Sequence, residues 1–147
     1  MDGVALAKQI KTDIRKWANG LSFTPGLAVI MVGDDPASKT YVAGKVRDCA
    51  ECGFHSEEFA FTEDVSESEL ITSIDWLNDR PDIHGILVQL PLPAGINRHR
   101  IINAIGPKKD VVCLHPRNVA NNVVHQSRGP TPCTPAGIMR LFTGIPC

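Results

Sequence analysis

Tyr41 and Lys45 stand four residues apart in the segment Asp34-Asp35-Pro36-Ala37-Ser38-Lys39-Thr40-Tyr41-Val42-Ala43-Gly44-Lys45. On a helix the two side chains share one face. An ammonium held beside an aromatic ring at the edge of a core is partly desolvated. A partly desolvated ammonium gives up its proton more readily than one in water, which suits a proton carrier near neutral pH. A surface lysine snorkelling past a half-buried tyrosine fits the same spacing. Gln89 is the second chemical candidate, because it lies at the end of the apolar run Ile83-His84-Gly85-Ile86-Leu87-Val88-Gln89-Leu90. An amide there must find partners if it is buried. It satisfies loop backbone, binds the edge of a heterocycle, or orients Lys45. Pro91 and Pro93 stiffen the loop that follows, as one wall of a ligand slot would require.

Cys49-Ala50-Glu51-Cys52 is formally a CxxC pair. A zinc site needs two further ligands at matching spacing, and none is evident. A redox role wants the pair at a helix N-terminus, whereas this one falls near a helix end. The expected role is therefore structural.

The elements around these residues follow from pattern. Asp35 is an N-cap candidate and Pro36 suits the first helical position. Val42, Val46 and Cys49 then form the inward stripe, and Gly53 stops the helix. Before it, residues 2–19 read as an amphipathic helix capped by Asp2, with Ala7, Ile10, Ile14, Trp17 and Leu21 as one buried face. Thr24-Pro25-Gly26 makes the turn into Leu27-Ala28-Val29-Ile30-Met31-Val32, a continuous apolar run ending at Gly33, as in a strand covered on both faces. Residues 54–61 are a second strand, nearer an edge. Ser66 to Glu69 is a capping box opening a helix with Leu70, Ile74 and Leu77 inward, broken at residues 78–82. The run through Gln89 is the third strand. Asn97 caps a short helix through Ile101, Ile102 and Ile105. Val111-Val112-Cys113-Leu114 is a fourth apolar run. Thr134-Pro135 opens a last helix through Ile138, Leu141 and Phe142. Residues 118–128 are polar and carry no clear pattern.

This alternation predicts an α/β fold: a three-layer sandwich with a mostly parallel sheet and helices on both faces. In such sheets ligands bind beyond the carboxyl ends of the strands, where Gly33, Gln89 and the start of the Asp34–Lys45 segment all fall. The chain has 147 residues, 43% of them hydrophobic, and a formal net charge of −1, which is enough for one domain with a real core. No basic run suggests nucleic acid, and no apolar run approaches a membrane span. Five cysteines without framework spacing imply reduced thiols and an intracellular setting.

Three segments together resemble the bifunctional methylenetetrahydrofolate dehydrogenase/methenyltetrahydrofolate cyclohydrolase family. They are Val32 to Ser38 with Tyr41, Val42 and Lys45; His84 to Pro93; and Pro132-Cys133-Thr134-Pro135-Ala136-Gly137. The likeness runs from about Asp2 to the end. It implies an N-terminal catalytic domain holding a folate, followed by a Rossmann domain that binds NADP, or NAD in some members. It implies interconversion of 5,10-methylene-, 5,10-methenyl- and 10-formyltetrahydrofolate, a cytoplasmic or mitochondrial-matrix setting, and a homodimer in the full-length parent with the dimer contact largely in the second domain. By the same resemblance Tyr41 packs on the folate, Lys45 carries the proton and Gln89 positions both lysine and ligand. Val42, Ala43, Gly44, Val88 and Leu90 stand beside them as substrate-binding positions.

Two departures qualify the resemblance. The chain stops at Gly144-Ile145-Pro146-Cys147, where the family's nucleotide domain would begin, and no GxGxxG loop is present. The 147 residues are therefore expected not to catalyse the dehydrogenase step alone. The family usually reads Lys-Asp-Val-Asp-Gly where this chain has Lys109-Asp110-Val111-Val112-Cys113. The missing aspartate is the one that binds the pterin, and Cys113 replaces a glycine. On a strand, Asp110 would point to the same side one pleat away and partly substitute. An alternative reading is a truncated, catalytically impaired relative that acts only as a folded binding or interaction domain. A third is a fragment or variant of a longer working enzyme.

Overall fold

The computed structural model describes residues 2–124 and 129–143. β1 (Gly26–Val32) is central, with β2 (His55–Phe61) on one side and β3 (Gly85–Val88) on the other. Both pairings are parallel. β1 is apolar throughout because it is covered on both faces. Ala28, Ile30 and Val32 point to one face and join Ile86, Val88, Leu70, Ile74, Leu77, Ile101 and Ile105 in the larger core. Val29 points to the other face and packs with Val42 and Leu87. The alternation along β1 and β3 thus sorts side chains into two cores on either side of one sheet.

Four helices supply the outer layers. α1 (Gly3–Ala18) packs on α2 (Pro36–Cys52) on the Val29 side, and α3 (Glu67–Asp79) packs with α4 (Arg98–Ala104) on the opposite side. The three-layer α/β sandwich is therefore as expected. Caps set the helix boundaries where the sequence put them. The Asp35 side chain accepts from Ser38 N at 2.7 Å. That hydrogen bond holds the Asp35 carboxyl below its ordinary range. Gly53 closes α2 in the left-handed region at φ 78°. Ser66 and Glu69 form the reciprocal capping box of α3. Asn97 caps α4 through His99 N and Arg100 N. At the other end of α3, the Lys109 ammonium donates to Leu77 O at 2.9 Å and Arg80 O at 2.7 Å. A cation there complements the helix carbonyls.

Three expectations need correction. The apolar run Val111–Leu114 is not a strand: only an isolated bridge joins Asp110 to Ile86, and residues 111–114 form a loop. The reason is Asp110 itself, whose carboxylate takes the backbone N–H groups of Val112, Leu114 and His115 that a ladder would need. The stripe of α1 is not a buried face. Trp17 is 61% exposed, Ala7 is exposed, Ile10, Ile14 and Leu21 are half-buried, and Ala18 is the one fully buried residue of the helix. The α6 helix (Cys133–Thr143) begins one residue before Thr134, and its Ile138, Leu141 and Phe142 are exposed.

α5 (Pro116–Val123), capped by the His115 side chain accepting from Arg117 N, runs into the polar stretch 118–128, of which residues 125–128 lie outside those described. His115-Pro116 repeats the cap-plus-proline arrangement of Asp35-Pro36, and that repetition was the available signal. The closing residues 144–147 lie outside those described. Among the described residues no helix is long and apolar enough to cross a membrane, and no group of three or more His, Cys, Asp or Glu side chains is placed to hold a metal. Cys49 and Cys52 are both buried free thiols at the end of α2, pushed up by burial. That arrangement fits the structural reading of the CxxC pair.

Candidate catalytic site at the carboxyl edge of the sheet

Two elements deliver the candidate residues to one place. α2 leaves the end of β1 through Gly33 (φ 82°) and carries Lys45 about two turns in. β3 ends at Val88, and Gln89 N donates to Ile30 O at 2.8 Å, which pins the residue beyond the strand to β1. The Lys45 ammonium donates to Gln89 Oε1 at 3.0 Å. The Gln89 amide nitrogen donates to Leu90 O at 2.7 Å, and this fixes which end of the amide faces the lysine. Gln89 thus satisfies loop backbone and orients Lys45 at the same time. The Lys45 ammonium also stands 5.5 Å from the centroid of the Tyr41 ring, a cation–π distance.

The remaining candidates divide by burial. Tyr41 is 67% exposed, so its ring is open to a stacking partner. Ala43 is exposed, and Gly44, Lys45, Gln89 and Leu90 are half-buried. Val42 and Val88 are buried, in the smaller and the larger core respectively. Val42 lies on the α2 side of the sheet with Lys45, whereas Val88 faces the opposite core. A cleft of about 310 Å³ is lined by Val32, Asp34, Asp35, Glu63 and Pro91 to Ala94, and not by Tyr41, Lys45 or Gln89. Another of about 360 Å³ is lined by Leu90, Pro91, Leu92, Ile96 and Arg98. Both open at the carboxyl ends of the strands, the expected side for a ligand. The Leu90–Pro91 peptide, which borders both, is cis.

The loop after Ile105 forms the far boundary. Asp110 is 3% exposed. It accepts from Val112 N at 3.2 Å, Leu114 N at 3.3 Å, His115 N at 2.9 Å and Asn118 Nδ2 at 2.9 Å. Burial pushes this carboxyl up. The hydrogen bonds from Asn118, His115, Leu114 and Val112 outweigh burial and hold it below the ordinary carboxylate range. Its acceptor positions are taken by its own loop, so Asp110 does not substitute for the family's aspartate. The organising role of Asp110 and Asn118 was not visible in the sequence, since their pairing depends on a helix hidden in a polar stretch. Val112 packs at the edge of the Val29–Val42–Leu87 cluster. Cys113 is buried with φ 62°, the left-handed region that favours glycine. That backbone conformation is one a glycine adopts without strain.

Gly44 offers a test of the helix that carries the site. It lies inside α2, and a methyl group added there would meet only Arg47 Nη2, at 3.8 Å. Gly44→Ala is expected to stabilise the fold by about 0.5–1 kcal/mol, since glycine is the poorer helix former and nothing obstructs the methyl group. Denaturant unfolding measures it, and a loss of stability would show that the α2 interior tolerates no side chain there.

The catalytic-domain model of the tetrahydrofolate dehydrogenase/cyclohydrolase family matches residues 1–111. The bifunctional protein FolD of Cupriavidus pinatubonensis is 47% identical over 150 residues, covering 99% of this chain and 52% of that protein. The FolD of Francisella tularensis subsp. novicida is 43% identical, with 97% and 52% covered. The chain spans about half the length of the curated relatives it matches. Among solved structures, the bifunctional FolD from Campylobacter jejuni superposes with a TM-score of 0.93 at 40% identity, covering 97% of this chain and 52% of that one. The Trypanosoma brucei enzyme, solved with NADP cofactor and inhibitor, gives 0.91 at 31% identity, with 99% and 52% covered.

Proposed function

The chain belongs to the tetrahydrofolate dehydrogenase/cyclohydrolase family, and from that premise we propose that it binds a tetrahydrofolate derivative at Tyr41, Lys45 and Gln89 and serves one-carbon interconversion between its 5,10-methylene, 5,10-methenyl and 10-formyl forms. The observation that supports this most is the Lys45 Nζ to Gln89 Oε1 contact of 3.0 Å with the Tyr41 ring alongside. The exposed ring suits stacking against a flat aromatic part of the ligand, with Ala43, Gly44 and Leu90 beside it, and family membership adds Val42 and Val88 to the proposed substrate-binding positions.

Hydrolysis of a methenyl bridge needs little beyond a placed water and one mobile proton. Water adds to the electron-poor bridge carbon and gives a tetrahedral adduct. Both protons of the adding water must leave as the formyl carbonyl forms; a ring nitrogen takes one as its bond to that carbon breaks, and the other goes to solvent. Proton transfer is assigned to Lys45 Nζ, which Gln89 Oε1 holds in place. Gln89 Oε1 accepts an N–H from Lys45 whether the nitrogen is an amine or an ammonium. Its orientation therefore persists through the transfer.

Hydride transfer to a nicotinamide dinucleotide is a different matter. The helix N-terminus that a pyrophosphate would seek at the end of β1 carries Asp34 and Asp35, and Asp35 already caps it. That terminus does not fit a dinucleotide's pyrophosphate. The NADP-dependent step of the family is accordingly proposed to need a Rossmann-type unit from outside these 147 residues. A homodimer of the full-length protein and a cytoplasmic setting belong to the same proposal and rest on family membership.

The assay that tests the reading is hydrolysis of methenyltetrahydrofolate, which consumes no nucleotide. The 147-residue chain should accelerate it over buffer alone. No acceleration together with measurable folate binding would favour the second reading, a folded binding domain without turnover. Val112 is the observation behind that alternative, because its apolar side chain offers no acceptor to the pterin N–H groups. Leaving such donors unpaired costs about 1–3 kcal/mol each. The double change Val112→Asp, Cys113→Gly is expected to tighten folate binding at least about tenfold. Titration calorimetry reads it, and an unchanged dissociation constant would refute it.

A further inference from the structure

Two cysteines that play no part in the proposed chemistry are both held at the loop that follows Asp110. Cys133 is the first residue of α6; it is exposed, and its thiol donates to Val111 O at 3.6 Å. Cys113, two residues beyond Val111, is buried. Its sulfur lies 3.1 Å from Asn122 Nδ2, whose two hydrogens are shared among that sulfur, Asn118 O at 2.9 Å and Pro130 O at 2.9 Å. Segment 130–133 is therefore held to loop 111–113 twice, once through the Asn122 amide and once through Cys133 itself. The loop curls around the Asp110 carboxylate, so the carbonyl that Cys133 touches and the sulfur that Asn122 touches belong to one tight turn. Both thiols are free.

We propose that Cys113 and Cys133 form a thiol–disulfide exchange site that closes into an intramolecular disulfide when presented with a small disulfide of the glutathione class. The accessible thiol reacts first. The Cys133 thiolate attacks one sulfur of glutathione disulfide, forms a mixed disulfide and releases one glutathione thiolate. Cys113, deprotonated by that thiolate or by water, then attacks the Cys133 sulfur. The protein disulfide forms and the second glutathione leaves. Two protein thiols are oxidised, one glutathione disulfide is reduced to two glutathiones, and the protein loses two hydrogens. Burial, with Asp110 and Cys133 nearby, pushes the Cys113 thiol up. This protects it from direct attack on the reagent and leaves it to the second, intramolecular step. The bond would tie the start of α6 to the loop that carries Val112, shortening the free chain in the unfolded state.

The test is incubation of the full chain with glutathione disulfide, followed by intact mass and peptide mapping without reduction. The expected product has lost two hydrogens, carries no glutathione on either residue, and yields a Cys113–Cys133 peptide pair. Its unfolding midpoint should rise by several degrees and return on reduction. Cys113→Gly should stop at glutathione bound to Cys133, and Cys133→Ser should leave Cys113 unmodified. Wild-type protein that stops at the Cys133 mixed disulfide, or that pairs either residue with Cys147 or with the Cys49–Cys52 pair instead, overturns the proposal.

Discussion

Lys45→Met is expected to lower the hydrolysis of methenyltetrahydrofolate by at least about a hundredfold, the lower end of what a positioned general acid–base contributes. Methionine keeps the unbranched apolar stem, so the packing of that stem on α2 should survive. What goes is the proton carrier and its hydrogen bond to Gln89 Oε1. The contact is half-buried and at the rim of the sheet, away from both cores. Stability should therefore change by less than about 1 kcal/mol. The two readouts separate cleanly: circular dichroism and the denaturation midpoint report the fold, and the decay of the methenyl chromophore reports the chemistry. A variant that hydrolyses at the parental rate would remove Lys45 from the reaction, and a variant that fails to fold would place the lysine in the framework instead.

Asp110→Ala should have the largest effect on stability, a loss of about 3 kcal/mol. Hydrogen bonds to a charged acceptor contribute about 1.5–3 kcal/mol each and do not add, and deletion leaves donors in a buried loop unpaired. The four donors are Val112 N, Leu114 N, His115 N and Asn118 Nδ2. The same carboxylate gives the fold an acid-sensitive component. Its folded-state pKa lies below the ordinary carboxylate value. The stability it confers is therefore fully present above the unfolded-state value of about 3.9 and is lost as pH falls through the folded-state value. Parental protein should lose stability on that acid limb, and Asp110→Ala should show a correspondingly shallower slope there. Parallel slopes for the two proteins would mean that the carboxylate does not hold the loop.

Much of this was readable from residue order because it rests on local rules. Asp35-Pro36, the Ser66–Glu69 box, Asn97 and Gly53 each fix a helix end through a few neighbouring atoms, and each stands where the pattern put it. The unbroken apolar run of β1 announced a strand covered on both faces, and Tyr41, Lys45 and Gln89 meet because helix and strand periodicity bring them to one edge. What escaped the sequence depends on distant partners. Val111 to Leu114 has the composition of a strand, yet one buried carboxylate bends it into a loop through bonds that no residue pattern displays. The apolar stripe of α1 has the right spacing, but how much of it is covered depends on packing against distant α2, and Trp17 is left exposed. α5 was hidden by its asparagines, whose side chains serve the Asp110 loop and the Pro130 carbonyl.

The central position of β1 also governs when the site can exist. Its partners on either side both arrive later in the chain, and the lysine-to-glutamine contact joins residues 44 apart. With no hairpin among the described strands, no early segment can assemble even a partial sheet by local closure, so loop entropy must be overcome before any pairing is rewarded. A ribosome must release the chain past Gln89 before the amine finds its acceptor. By the same logic, detaching β3 in the mature protein should abolish ligand binding in one step while leaving α2 largely helical.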